Sequence, residues 1–398
     1  MTSSSSQLAS PEKRLLVACA RTTVEPPVAA EIRELSAAAL DWEFVVNESA
    51  VNSILPLVAR NISAVATEIA PAKHVERLTR GARANALRCL SLTAELIRIV
   101  DLLRAAGVQA MPYKGPLLAV DASGDVTLRE FEDLDIIVRQ QDMAKADEVV
   151  QKLGFRPNHR WTFAAGATSP VVPGEYDYRD EARGMIVEFH TEFTLRHFPV
   201  PPDLGEMSKR LVSVTISGHE IPTFCPEDML SLLCVHGAKD FWERISWIAD
   251  VAEFLRSHPR LDWDLVVSQA ENWQVGRMLN LGLALATGML GALLPAQISA
   301  RVRGDSVAGD IASEIAQRHC IREAPERGAG ERFRYRRRMV AGGFAGWRYS
   351  VRLTTLPADE DSAAMRLPRA LAPLYVLLRP LRLLRQYRAG GGGSEHGS

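Results

Sequence analysis

The sequence contains little cysteine: five residues in 398, odd in number and scattered along the chain. No two of them have the spacing of zinc ligands, and no pair of histidines has a His-x-x-x-His or similar spacing. A zinc enzyme is therefore not expected. The scattered cysteines favour reduced, structural thiols in a cytoplasmic protein.

Long apolar runs are absent too. No stretch of about twenty apolar residues occurs, so we expect no transmembrane helix. The Ser-rich N-terminus has no apolar core ahead of a cleavage site, and we expect no secretory signal. The net charge of −1 gives no global indication of nucleic-acid binding. Residues 317–388, however, hold sixteen Arg and no Lys against six acidic residues, which fits an anionic partner or surface.

The remaining composition, 47% hydrophobic and 24% charged, is typical of a globular protein with two or three domains. We expect residues 1–12 to be disordered and the Gly/Ser-rich residues 389–398 to form a flexible, linker-like tail. Helical periodicity predicts an N-terminal helical subdomain over residues 13–107. Strands enter only in the core, residues 108–222, and a C-terminal helical bundle with a basic tail occupies residues 223–388. Within these units we expect one or two long helices from His74 to Gly107, with Leu87 and Leu90 in their apolar stripe. We also expect a helix from Pro226 to about Ser257 and a basic amphipathic one from Leu367 to Arg388, broken at Pro380.

The most informative stretch is Asp133-Leu134-Asp135, which leads into a short apolar run typical of a buried strand. Residues two apart on a strand project from the same face, so the two carboxylates lie close together and repel each other. A divalent cation would relieve that repulsion, and oxygen-only ligands suit Mg²⁺. Upstream, Lys114-Gly115 opens a turn where glycine allows close backbone approach and lysine supplies a charge for phosphate.

A second strand is predicted at Met185–His190, where polar and apolar residues alternate. The alternation places Glu188 and His190 on one face of that strand. Glu188 is thus a candidate third carboxylate, and His190 is either a participant in proton transfer or a hydrogen-bonded structural histidine.

Tyr113-Lys114-Gly115, Arg129 and Asp133-Leu134-Asp135 together resemble a bacterial family described as uncharacterised nucleotidyltransferases. This family is part of the DNA polymerase β-like nucleotidyltransferase superfamily, and the resemblance extends from about Leu35 to Arg388. It implies an α+β fold, in which a small mixed sheet is flanked by an N-terminal helical subdomain and a C-terminal helical bundle. It also places the third acid at Glu188, where the family often has Asp-x-His; glutamate is one methylene longer.

The resemblance implies transfer of a nucleoside monophosphate from a nucleoside triphosphate, with Asp133, Asp135 and Glu188 holding two Mg²⁺ ions. Lys114 and Gly115 would bind the triphosphate, and Glu188 could instead serve as the base. Members of the family occur in gene clusters for natural products and peptide modification, which implies a small-molecule or peptide acceptor. Two alternatives are a toxin-like enzyme acting on transfer RNA and a non-catalytic nucleotide-binding protein.

The remaining candidate residues have equally plausible structural roles. Arg129 would orient phosphate or form a surface ion pair with Glu130 or Glu132. His236, Lys239 and Asp250 would line the cleft from the helical bundle or serve helix capping. The run Arg332–Arg338 interleaves aromatic residues with arginine, which can bind RNA. It could equally be a docking surface for a charged partner or a solvated helix face, and the solvated face is the favoured interpretation.

Overall fold

The computed structural model describes residues 10–158, 174–191, 193 and 198–355. The predicted C-terminal helix, Leu367–Arg388, lies outside them. The helices of the described part are α1 (Pro11–Cys19), α2 (Pro26–Ala37), α3 (Trp42–Val51), α4 (Leu55–Val65), α5 (Ala72–Ala105), α6 (Gly115–Ser123), α7 (Met143–Lys152), α8 (Leu204–Met207), α9 (Pro226–Lys239), α10 (Ile245–Ser257), α11 (Trp263–Asn272), α12 (Gly276–Leu290), α13 (Ala296–Gly304), α14 (Ser306–Cys320), α15 (Ala329–Arg338) and α16 (Gly343–Thr355).

The strands are β1 (Met111–Pro112), β2 (Asp133–Ile137), β3 (Arg156–Pro157), β4 (Glu175–Asp180), β5 (Met185–His190), β6 (Val212–Ile216) and β7 (His219–Thr223). Five of them form a sheet in the order β1-β2-β5-β4-β3, and β6 and β7 form a separate hairpin. Only β2 and β5 are parallel; the other neighbours in the large sheet are antiparallel. The predicted α+β class with a small mixed sheet is confirmed.

The sheet is held by α5, α6 and α7, which bury their apolar faces against it in one hydrophobic cluster. A second cluster combines residues of α1–α4 with residues of the C-terminal helices, so the two ends of the chain share a core. The predicted domain boundaries at 107/108 and 222/223 stay a prediction. The expected disorder of residues 1–12 is wrong for Pro11 and Glu12, which begin α1, and residues 1–9 lie outside the described part. No helix among the described residues is both long and apolar enough to cross a membrane.

The helical segment predicted over residues 74–107 is one continuous helix, α5, of 34 residues. Its buried face contains Leu96, Ile99 and Leu103, as the periodicity indicated. Leu87 and Leu90 do not belong to that face, because their side chains are 72% and 52% exposed. Their assignment to the apolar stripe was wrong. The neighbouring elements cover only part of the surface of this 34-residue helix, and Leu87 and Leu90 lie on a part that they leave exposed.

The single helix predicted from Pro226 to Ser257 is also wrong: α9 ends at Lys239 and α10 begins at Ile245. Phe241 and Trp242 between them have φ angles of 60° and 54°, in the left-handed region. The Trp242 ring is fully buried, and a Cβ added at Gly237 would lie 2.5 Å from it. Burial of this indole against a glycine stabilises the break, so residues 236–250 do not share one helix face.

Candidate active site

The two predicted carboxylate strands are neighbours, and their register brings the acids together. β2 and β5 run parallel with Asp135 directly opposite Glu188. Asp133 precedes Asp135 by two residues and therefore faces the same side of the sheet. Leu134 and Ile136 point the other way, into the core. Burial of these apolar residues fixes the register, because a slip of one residue would turn the acids into the core.

Asp135 is the centre of the site. Its Oδ1 lies 3.3 Å from Lys114 Nζ and 3.2 Å from His190 Nε2. His190 Nε2 is also 3.7 Å from Glu188 Oε2. One ligand atom from each of Asp135, Glu188 and His190 lies within 4.8 Å of the others, the one such group of three possible ligands among the described residues. Two carboxylates fit a hard divalent cation, and Asp133 borders this group without belonging to it.

Crowding of charge in this site displaces the carboxyl pKa values in opposite directions. Burial, followed by the charge of Asp135, raises the pKa of Glu188 to about 8. Burial would also raise the pKa of Asp135, but the Lys114 ammonium and the hydrogen bond from His190 outweigh it and lower that pKa. Burial and the charge of Asp135 raise the pKa of Asp133. Protein cations thus lower the pKa of one acid, whereas burial and neighbouring carboxylates outweigh the cations at the other two, which is the situation a bound cation would relieve.

Lys114 and Gly115 lie where the turn enters α6. Gly115 has a φ of 55°, in the left-handed region, so its backbone conformation favours glycine. The Lys114 ammonium lies 4.9 Å from the centroid of the Tyr113 ring and is paired with Asp135. The start of α6 thus presents backbone N–H groups next to the carboxylate strand, a geometry that suits phosphate.

Arg129 and Asp250 were both predicted to contact substrate; the structure brings the two side chains together in an ion pair, and their contact with substrate stays a prediction. Arg129 Nε and Nη2 donate to the two Asp250 carboxylate oxygens, each at 2.9 Å. This two-pronged pair ties the segment before β2 to α10. Neither of the glutamates considered for a surface ion pair, Glu130 and Glu132, is the partner of Arg129. Glu130 accepts a hydrogen bond from the Leu55 backbone N–H instead.

His236 and Lys239 lie in the last turns of α9. Burial, followed by the charges of Lys114 and Lys239, lowers the pKa of His236 well below its usual value. The charges of Lys114 and Asp135 both act on His236, so its ring lies near the site. The ring packs edge-on against Trp247, with the centroids 5.4 Å apart. The positive charge of Lys239 contributes to the lowered pKa of His236. Their roles as substrate-binding residues stay a prediction.

Sequence reasoning missed two further acids, Glu175 and Asp177 on β4. In the antiparallel register Asp177 lies opposite Glu188 and Glu175 lies opposite His190. Their charges contribute to the raised pKa values of these two residues. The signal was present in the alternation Glu-Tyr-Asp-Tyr over residues 175–178, which puts both acids on one strand face and both tyrosines on the other. A row of acids, one from each of three adjacent strands, therefore crosses the sheet at Glu188.

Comparison with known protein families identifies the family of this chain. Residues 38–291 match the family described as uncharacterised nucleotidyltransferases, and the chain belongs to that family. The predicted resemblance and the predicted enzyme class are both confirmed. Among solved structures, the chain is similar to the solution structure of the antibiotic-resistance factor ANT(2'')-Ia, with 10% identity and a TM-score of 0.33. That similarity covers 46% of this chain and 91% of the other. No curated protein matches the sequence.

Proposed function

We propose that this nucleotidyltransferase moves a nucleoside monophosphate from a nucleoside triphosphate to an acceptor hydroxyl or phosphate in a Mg²⁺-dependent reaction. The observation that carries the proposal is the in-register pair Asp135–Glu188, with Lys114 and Gly115 beside it. An acceptor oxygen attacks the α-phosphorus, the bond from that phosphorus to the bridging oxygen breaks, and pyrophosphate leaves. Positioning and charge compensation dominate catalysis of such a transfer.

The chain's own residues divide these tasks. Lys114 and the backbone N–H of Gly115 hold the triphosphate, and the left-handed backbone at Gly115 orients that N–H. Asp133, Asp135 and Glu188 would hold Mg²⁺, with two ions as the favoured number. When bound, Mg²⁺ supplies charge compensation for the triphosphate and for the attacking and leaving oxygens. Glu188 or the neighbouring His190 accepts the proton of an acceptor hydroxyl.

For the acceptor we propose a small molecule or a peptide, because members of the resembled family occur in gene clusters for natural products and peptide modification. The proposed roles of the site residues are to bind phosphate and metal, and none of these roles is recognition of a nucleobase. The identity of the base is therefore left to the experiment, which samples all four ribonucleotides.

The test is isothermal titration of the four ribonucleoside triphosphates, with and without Mg²⁺, into the wild type and into Asp133→Asn/Asp135→Asn. We expect Mg²⁺-dependent binding that the double variant loses. Glu76→Gln/Glu148→Gln is the matched control, because it also removes two negative charges, both on exposed side chains. Circular dichroism checks that each variant is folded. Triphosphate binding of equal strength in the wild type and in Asp133→Asn/Asp135→Asn would refute the proposed metal-dependent site.

Pyrophosphate release in the same titrations separates an enzyme from a nucleotide-binding protein. With a nucleophilic acceptor present, the wild type should release pyrophosphate and the double variant should not. Transfer RNA included as one of the acceptors tests the second candidate function. If transfer RNA is the only acceptor that supports turnover, it replaces the small molecule or peptide as the proposed acceptor.

A further inference from the structure

The last two described helices expose large aromatic side chains. Phe344 and Trp347 on α16 are 75% and 54% exposed, and their rings stack with centroids 6.1 Å apart. Phe333 on α15 is 39% exposed. We call the stacked pair Phe344 and Trp347 the aromatic patch. Exposed aromatic residues that cluster in this way mark a surface that another molecule covers.

The charge around the aromatic patch is strongly positive. Residues 329–355 contain seven arginines and one acidic residue, Glu331. Some of these arginines serve the fold: Arg338 pairs with Glu314 at 2.8 Å, and Arg336 lies 5.3 Å from the centroid of the Phe241 ring. Others face solvent, namely Arg334, Arg337 and Arg348. A surface of exposed aromatics and arginines suits an anionic partner with an apolar layer.

The packing of the two helices places the charges next to the rings. A Cβ added at Gly346 would lie 2.5 Å from the Arg337 carbonyl oxygen, so the start of α16 lies directly on the end of α15. Phe344 and Trp347 flank Gly346 in the sequence. The backbone that carries the aromatic pair and the arginine-rich end of α15 therefore lie close together.

The sequence directly beyond this surface includes three acids, Asp359-Glu360-Asp361, and after them the same chemistry returns. Residues 362–388 contain six arginines, eight leucines and no acidic residue. Leucine and arginine in combination are typical of segments that lie on a membrane surface, where the apolar side chains enter the headgroup boundary and the cations meet anionic lipid. An RNA-binding segment gains nothing from eight leucines, because RNA is recognised by stacking and phosphate contacts.

We propose that the aromatic patch, with Arg334, Arg337 and Arg348, docks this enzyme on the surface of an anionic lipid membrane. Phe344 and Trp347 enter the interface, and the arginines contact lipid phosphates. The attachment is peripheral and reversible, since one aromatic pair with a basic surround anchors far more weakly than a spanning helix.

The test is cosedimentation of the full chain with phosphatidylcholine vesicles, with and without phosphatidylglycerol. We expect binding to the anionic vesicles only, and a loss of at least about tenfold in Phe344→Ser/Trp347→Ser. A tenfold loss corresponds to roughly 60 Å² of apolar surface at the usual transfer coefficient. Arg334→Gln/Arg337→Gln/Arg348→Gln should bind more weakly and with less dependence on salt.

Leu87→Ser/Leu90→Ser is the matched control, because these two side chains on α5 are as exposed as the aromatic pair. It should bind anionic vesicles like the wild type, and circular dichroism should show both double variants folded. Absence of wild-type binding to anionic vesicles would overturn the proposal, as would equal binding by Phe344→Ser/Trp347→Ser. Binding of single-stranded RNA without vesicle binding, or a dimer that Phe344→Ser/Trp347→Ser dissociates, would assign the surface to a different partner and likewise overturn it.

Discussion

The ion pair between Arg129 and Asp250 gives a sharp test of whether these residues serve the fold or the substrate. Their side chains are only 16% and 10% exposed, and two hydrogen bonds of 2.9 Å join them. At about 4 Å between charge centres and an effective dielectric constant of about 20, their attraction is about 4 kcal/mol. Removing one partner also leaves the other charge buried. We therefore expect Asp250→Asn to lower the free energy of unfolding by about 3 kcal/mol, at the lower end of the range for buried pairs.

Urea unfolding of the wild type, Asp250→Asn, Arg129→Gln and the double variant measures this coupling directly. The double variant should be destabilised by clearly less than the sum of the two single variants, because it leaves no charge without its partner. The exposed pair Arg14–Glu31, joined at 3.0 Å, is the control and should contribute less than about 1 kcal/mol.

The outcome separates two roles for Asp250. If the pair holds the segment before β2 in place, stability and nucleotide binding fall together in Asp250→Asn. If Asp250 instead contacts substrate, the Michaelis constant rises while the free energy of unfolding stays within about 0.5 kcal/mol of the wild-type value. The second result would refute the reasoning from the structure.

Two further predictions concern single residues. Lys114→Ala should weaken triphosphate binding at least about tenfold, since a lost hydrogen bond to a charged group is worth about 1.5–3 kcal/mol; unchanged affinity in the titration would remove Lys114 from the site. Burial holds the pKa of His319 at about 4, below its ordinary value of 6.5, and its Nε2 donates to the Trp242 carbonyl at 2.7 Å. Its contribution to stability is therefore complete above about pH 6.5 and is lost as pH falls toward 4, by up to about 3 kcal/mol, because the unfolded chain binds the proton first. Urea midpoints measured against pH should fall less steeply in His319→Gln, and parallel curves for the two proteins would contradict the prediction.

The carboxylate strands could be predicted from the sequence because their information is local. In β2 the apolar residues Leu134 and Ile136 alternate with the two acids, and in β5 Val187 and Phe189 alternate with Glu188 and His190. Burial of the apolar set on one face leaves the acids no other place than the opposite face. The choice of partner strand is less local, but β2 and β5 need only be neighbours for Asp135 and Glu188 to meet.

The break between α9 and α10 could not be predicted, because its cause is distant in sequence. Residues 240–244 contain neither glycine nor proline, and the helical periodicity runs through them undisturbed. The Trp242 ring occupies space left by Gly237 and by Gly282 on α12, where an added Cβ would lie 3.1 Å from it. The pairing of Arg129 with Asp250, 121 residues apart, is hidden for the same reason.

The balance of charge inside the site is the part that only the three-dimensional arrangement explains. Glu188 lies between Asp135 on β2 and Asp177 on β4, so carboxylates flank it on both neighbouring strands. Lys114 and His190 both contact Asp135, and Glu188 has only the more distant His190 contact in return. The protein's own cations therefore stabilise one carboxylate and leave the row as a whole short of positive charge. A fold gains no stability from such an arrangement, whereas a site that binds a divalent cation receives the missing positive charge from it.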